Sequence, residues 1–231
     1  MRDDICTIPV SEVFEHNDGC PICRMCDTIE ERMTDYILGD AMMEPDVRIE
    51  TNKTGFCEHH YNNMMSRRGR LQLALMLQTH INEINGEIFK KKLFNTDSKK
   101  TGNAKNITDS CFICSKIEWG LSRMIETVYR CYETQKDFRD MFNSQSMFCL
   151  PHYERLLGGA SKRNMKSYYP EFSENLNRIT GEYSKSLYDD LSKYCTMYDY
   201  RSRDGETDWG NSRDAVERTV AFLNGRIYKE E

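Results

Sequence analysis

The chain has 231 residues, of which 39% are hydrophobic and 30% charged, with a formal net charge of -5 and a mean hydropathy of -0.73. That length suits one large domain or two small ones, and the acidic balance argues against nucleic acid as the main partner, because such affinity comes mostly from Lys and Arg neutralising phosphates. No apolar run approaches the roughly 18 residues of a membrane span, and MRDDICTIPVSEVFEH shows acids where a signal peptide carries basic residues, so a cytoplasmic protein is expected.

In chain order, the first motif is Cys20-Pro21-Ile22-Cys23, followed by a helix expected to end at Leu38 before Gly39. A short helical turn over 46–52 leads through Lys53-Thr54-Gly55 into Cys57-Glu58-His59-His60-Tyr61. A long helix, interrupted near Gly69, is expected to run to about Phe94, with Leu73, Leu77, Ile81, Ile84 and Ile88 forming one apolar face. Residues 95–109 are polar and rich in Asn, Lys and Gly, and read as a linker. The next helix is expected over 113–133, on a stripe of Ile117, Leu121, Met124, Val128 and Cys131. Gly158-Gly159 stops the helix after His152, and Tyr169-Pro170 opens the longest pattern, from Phe172 through Leu176, Ile179 and Leu187 to Tyr198. After the polar break RSRDGETDWGN a last helix carries Val216, Val220, Leu223 and Ile227. No period-two alternation persists, so few strands are expected.

The chain repeats itself. Cys20-Pro21-Ile22-Cys23 matches Cys111-Phe112-Ile113-Cys114 at a displacement of 91, and Phe56-Cys57-Glu58-His59-His60-Tyr61 matches Phe148-Cys149-Leu150-Pro151-His152-Tyr153 at 92. Arg32-Met33 with Arg123-Met124, and Asp46-Val47-Arg48 with Asp137-Phe138-Arg139, add two further matches in the same order. The duplication predicts an all-α helical bundle built on a tandem Cys3His unit, with two extra C-terminal helices. The division is a first zinc-binding repeat over 1–94, a linker over 95–109, and over 110–231 a second repeat with the C-terminal helices.

Ten cysteines in a reducing compartment point to metal ligation or thiol chemistry rather than disulfides. Each copy retains three cysteines and one histidine, a complete tetrahedral zinc set: Cys20, Cys23, Cys57 and His60 in the first, and Cys111, Cys114, Cys149 and His152 in the second. Four protein ligands close the coordination sphere, which marks a structural ion, whereas a catalytic zinc keeps a position open. Two zinc ions are thus expected, with an iron–sulfur cluster as the alternative, since Cys3His sets also ligate iron. Pro151 at the position matching His59 makes His60 the first-site ligand. Arg48 and Arg139 can donate to a thiolate or pair with Asp46 and Asp137, and His80, with Glu83 and Glu87 on the same helix, reads as polar surface. The basic runs Arg67, Arg68, Arg70 and Lys90, Lys91, Lys92 read as solvated helix faces. The tyrosines at 183, 188, 194, 198 and 200 suit either helix packing or a partner surface.

The frame CPICRMCDTIEERMTDYILGDAMMEPDVRIETNKTGFCEHHYNNMM, with LALMLQTH after it, resembles an uncharacterised family of bacterial cytosolic proteins with twinned CxxC/GFCxxH motifs. Some of its members bear an ABC-transporter substrate-binding label. That label does not fit these residues, because solute receptors are exported, two-lobed α/β proteins. The resemblance implies metal sites and no activity. The residues point to a non-enzymatic protein with two structural zinc ions, working by binding a protein or small-molecule partner. The alternative is a redox protein or thiol sensor that uses a cluster or exchangeable zinc thiolates.

Overall fold

The structure is a computed structural model, and it describes residues 8–90, 96–161, 164–198 and 208–225. Lys91, Lys92, the expected helix end at Phe94, Tyr200, Ile227 and the first part of the RSRDGETDWGN break lie outside the described residues. Among the described residues the fold is all-helical, without strands. The helices are α1 (Ile8–Phe14), α2 (Pro21–Leu38), α3 (Pro45–Thr54), α4 (Glu58–Ser66), α5 (Arg70–Ile84), α6 (Asp97–Thr108), α7 (Phe112–Thr134), α8 (Lys136–Asn143), α9 (Leu150–Gly159), α10 (Tyr169–Tyr198) and α11 (Ala215–Asn224). None of them is long and apolar enough to cross a membrane.

The duplication is visible as two series of helices, α2–α3–α4 and α7–α8–α9, each long, short, short. The segment expected as a linker carries α6, which buries none of its residues and starts where Thr96 accepts from the Lys99 backbone N–H. The helix expected to run on from His60 breaks at Gly69, whose φ of 115° is a left-handed value, and α5 then ends in a π-turn over Asn85–Phe89. The apolar face expected along α5 and its π-turn is buried at Leu73 and Ile88, with Leu77 packed against the core, and fails at Ile81. The buried residues of α5 are Leu73, Met76 and His80, while Ile81 is 52% exposed. His80 is therefore not polar surface: it is buried, with Nδ1 2.8 Å from the Asn52 carbonyl.

Contacts divide the chain into two compact units, one of Cys26–Ser122 and one of Met1–Met25 with Arg123–Glu231. Neither unit corresponds to a sequence copy. Within the Cys26–Ser122 unit, Ile37, Leu38, Phe56, Met64, Leu73, Met76, Phe112 and Ile113 form the core. In the other unit the core is aromatic. Phe14, Phe138, Phe142, Phe148, Phe172 and Tyr132 are all buried and share ring contacts, with Phe142 lying 4.9 Å from Phe148 and 5.0 Å from Phe172. Phe56 and Phe148 occupy the same place in the two copies, one residue before a ligand cysteine, so each ties its ligand turn to a core.

Candidate metal centres

Each of the four ligand turns is built alike. Cys20, Cys57, Cys111 and Cys149 stand immediately before α2, α4, α7 and α9, and the second group of each pair lies three residues on, in the first turn. The carbonyls of these cysteines accept the first backbone bonds of their helices, from Arg24 (3.3 Å), Tyr61 (2.9 Å), Ser115 (3.1 Å) and Tyr153 (2.8 Å). Cys57 and Cys149 share one extended cap conformation, with φ, ψ of −75°, 167° and −69°, 157°. Helix N-termini carry partial positive charge and unpaired N–H groups. Two of them meet at each cluster, which favours thiolate over thiol.

All eight expected ligands gather into two clusters, but not copy by copy. Cys20 and Cys23 meet Cys149 and His152; Cys111 and Cys114 meet Cys57 and His60. The expectation that each copy completes its own quartet is thereby corrected. At 1.5 Å per residue the 18 residues of α2 extend about 27 Å and the 10 residues of α3 about 15 Å, so the two turns of one copy are joined by helices of unequal length.

In the first cluster His152 Nδ1 lies 3.7 Å from Cys20 Sγ, 3.4 Å from Cys23 Sγ and 3.0 Å from Cys149 Sγ, and Cys23 lies 3.6 Å from Cys149. The three thiols are buried. Ligand turns far apart in sequence are pinned beside it by Gln145, which donates to the Phe14 carbonyl (2.7 Å), and by Asn17, which donates to the Ser144 carbonyl (3.0 Å). The Cys23 thiol donates to the Gly225 carbonyl at the end of α11 (2.8 Å), and a cavity of about 150 Å³ lined by Asp18, Cys20, Tyr183 and Arg218 adjoins the cluster.

In the second cluster His60 Nδ1 lies 3.1 Å from Cys57 Sγ, 3.3 Å from Cys111 Sγ and 3.5 Å from Cys114 Sγ, with Cys57 3.8 Å from Cys114. His60 is buried and Cys114 is exposed. The Phe112 N–H donates to the Gly55 carbonyl (3.0 Å), and the Ser110 hydroxyl donates to the Thr54 carbonyl (2.8 Å), which joins the two ligand turns. Gly55 has φ 59° and ψ −153°, a region open essentially to glycine alone, and a Cβ there would stand 2.8 Å from His80 Nε2.

The thiols of each grouping are driven apart in acidity. Burial opposes ionisation of Cys111, yet bonding from His60 and the Cys114 backbone brings it down to about 6. Burial and the bond to Cys111 push Cys114 up to about 12. Burial disfavours charge on His60, but Cys111, Glu30 and Cys57 raise it to about 10. In the first cluster Cys20 is likewise drawn down, against burial, by Cys149, Cys23 and His152, and its bond with Cys149 pushes the latter up to about 12. One thiolate per cluster is stabilised at the cost of its neighbours. Metal ligation needs thiolates and neutral imidazoles, and with the four donor atoms within 4.8 Å of one another each cluster could hold a metal ion. No disulfide forms among the described cysteines.

A model of the Family of unknown function (DUF6062) matches residues 1–230. The chain belongs to this family. No curated protein and no solved structure matches it. In this member of DUF6062 the repeated arginines do something the sequence did not suggest. Arg48 donates to the carbonyls of Met42 (3.0 Å) and Leu75 (3.2 Å) and to the Thr79 hydroxyl (3.0 Å). Arg139 donates to the carbonyls of Tyr132 (2.8 Å) and Glu133 (3.4 Å) and stacks on Tyr168. Met42 and Glu133 are matching positions at the same displacement of 91, so the duplicated arginine holds the duplicated bend between long and short helix. Glu30, beside His60, had no sequence signal at all, because nothing in the local pattern says which residue of α2 faces a histidine thirty positions on.

Proposed function

We propose that the protein is a zinc-stabilised helical binding protein, in which two Cys3His ions lock segments distant in sequence and leave the outer helix faces to a partner. The observation that carries the zinc reading is donor spacing. Tetrahedral zinc with bonds of about 2.3 Å to sulfur and about 2.05 Å to nitrogen places sulfurs about 3.8 Å apart and sulfur about 3.6 Å from nitrogen. One sulfur pair in each cluster stands at this spacing, Cys23–Cys149 at 3.6 Å and Cys57–Cys114 at 3.8 Å, and the sulfur–nitrogen distances run from 3.0 to 3.7 Å. Each set of donor atoms spans no more than 4.8 Å, which favours a single ion over an iron–sulfur core, whose terminal thiolates are spread over several irons. When bound, zinc supplies folding energy rather than chemistry, because four protein ligands leave it no open position. The chain's own residues deliver the thiolates at helix N-termini and orient the imidazoles through Nδ1.

Partner binding draws support from large apolar side chains at the surface, among them Phe89 (71% exposed), Leu71 (68%) and Tyr188 (70%). A thiol-sensing role draws on the exposure of Cys114, a ligand that an oxidant in solution can reach. Protein expressed without added metal should contain two zinc ions per chain and show no visible colour. Removing them with a chelator should lower the thermal midpoint and the helical signal. Brown protein with stoichiometric iron, or a melting curve unmoved by complete zinc removal, overturns the reading. Zinc release by peroxide with loss of partner binding would select the sensor.

A further inference from the structure

We propose that Glu30 is the positioning carboxylate of the second cluster, holding the His60 ring so that Nδ1 faces the three sulfurs, with His59 and Asn63 fixing Glu30 from behind. The inference rests on that cluster being a zinc site. Glu30 Oε1 lies 3.4 Å from His60 Nε2, a buried nitrogen that makes no hydrogen bond, so this carboxylate is the acceptor within its reach. The same oxygen accepts from His59 Nε2 at 2.7 Å and from Asn63 Nδ2 at 3.2 Å. Two hydrogen bonds on one carboxylate oxygen hold it beside the His60 ring.

Glu30, His59 and His60 also form a grouping compact enough to suggest a further cation. The second cluster itself argues against that. A neutral imidazole offers one lone pair, and His60 Nδ1 already points at Cys57, Cys111 and Cys114 within 3.5 Å. Its Nε2 is then an N–H, a donor for Glu30 and not a ligand. Ligating histidines characteristically give their second N–H to a carboxylate or carbonyl, which fixes the tautomer and makes the ligand more basic. Glu30 stands where that partner is required.

The two copies differ at this place. The positions matching Glu30, His59 and Asn63 are Leu121, Pro151 and Arg155, so the carboxylate belongs to one site only. It is the more open site, the one with an exposed thiol at Cys114, where water competes for the ligands and a fixed, more basic imidazole contributes most to retention.

The test uses the full chain with its zinc: wild type, Glu30→Ala and Glu30→Gln. A chromophoric chelator is titrated against the two ions, and long-range 1H–15N spectra of the histidine rings report tautomer and ligation. In Glu30→Ala one of the two ions should bind about 10–100-fold more weakly, with the His60 ring signals altered and those of His152 unchanged. Retention of the first ion shows that the variant is folded. Glu30→Gln keeps an oxygen acceptor at the same reach, so it should restore the tautomer and part of the affinity, and it carries the test should the alanine variant fail to fold. Unchanged affinity and ring signals in both variants overturn the proposal. So does a third zinc in wild type that either variant loses, because Glu30 is then a ligand of an outer ion. Wild type that holds no zinc instead refutes the reading of the cluster itself.

Discussion

His59 and His60 are adjacent, and only one of them reaches the thiols. Proline at the position matching His59 decided between them in the sequence, and the geometry agrees: His60 is buried against three sulfurs, while His59 turns outward to Glu30. His59→Ala should keep both ions and nearly full stability. His60→Ala should loosen the ion of Cys57, Cys111 and Cys114 alone, at a cost on the order of several kcal/mol, read by metal analysis and thermal melting. A second test lies away from both ions. Burial pushes the Tyr129 hydroxyl up to about 12 from an ordinary 10.0, and it donates to the Leu156 carbonyl on α9 (2.9 Å). A tyrosine raised in the fold contributes fully below the unfolded value and loses its contribution as pH climbs through the folded one. Chemical denaturation should therefore show wild-type stability falling more steeply between pH 10 and 12 than that of Tyr129→Phe. At neutral pH the variant should cost about 1 kcal/mol for the lost hydrogen bond. Equal alkaline slopes for the two proteins would count against this assignment.

The helices show where a sequence pattern suffices and where it does not. The stripes on α7 and α10 were legible because Leu121, Val128, Cys131, Phe172, Leu176 and Ile179 are both apolar and buried. On α5 the same reasoning selected Ile81 and missed His80. The run LQLALMLQ is apolar on several sides, so periodicity left its rotation undetermined, and the decision fell to a polar contact between His80 and the Asn52 carbonyl. Arg48 and Arg139 belong here too. Their repetition was visible; their partners, carbonyls at the bend between two helices and, for Arg48, the Leu75 carbonyl and Thr79 hydroxyl of α5, carry no sequence signal. An arginine bonded to part-buried carbonyls holds a bend that neither lysine nor alanine can reproduce, because the planar fork reaches several acceptors at once. Arg48→Ala should destabilise by about 2 kcal/mol, the range of bonds to a charged donor, with Arg48→Lys recovering only part and zinc content unchanged. Denaturant titration of both variants, with Arg139→Ala as the matched change in the other copy, measures it. A loss under about 0.5 kcal/mol would make the repeated arginines surface groups instead.

The pairing of the half-sites is a property of the entire chain, and it is where the sequence was least informative. Motif spacing selected all eight residues that gather into the two clusters, but Cys-x-x-Cys and Cys-x-x-His turns are interchangeable modules, and a zinc ion accepts one of each from any source. Nothing in the spacing of the motifs says that Cys20 and Cys23 close on Cys149 and His152, with Cys23 and Cys149 126 positions apart. An ion bound in a crossed cluster would staple segments remote in sequence, so the loop it closes in the unfolded chain would be long and its entropic contribution correspondingly larger. Crossing also makes a prediction that within-copy pairing inverts. Cys23→Ala and Cys149→Ala strike the same ion, so each single variant and the double variant should all retain one zinc, and their stability losses should be strongly non-additive. Cys23→Ala and Cys57→Ala strike different ions, so that double variant should lose both, with losses that add. Were each copy to close its own site, Cys23 with Cys57 would be the non-additive pair and Cys23 with Cys149 the additive one. Zinc counted by native mass spectrometry on these two double variants decides between the arrangements.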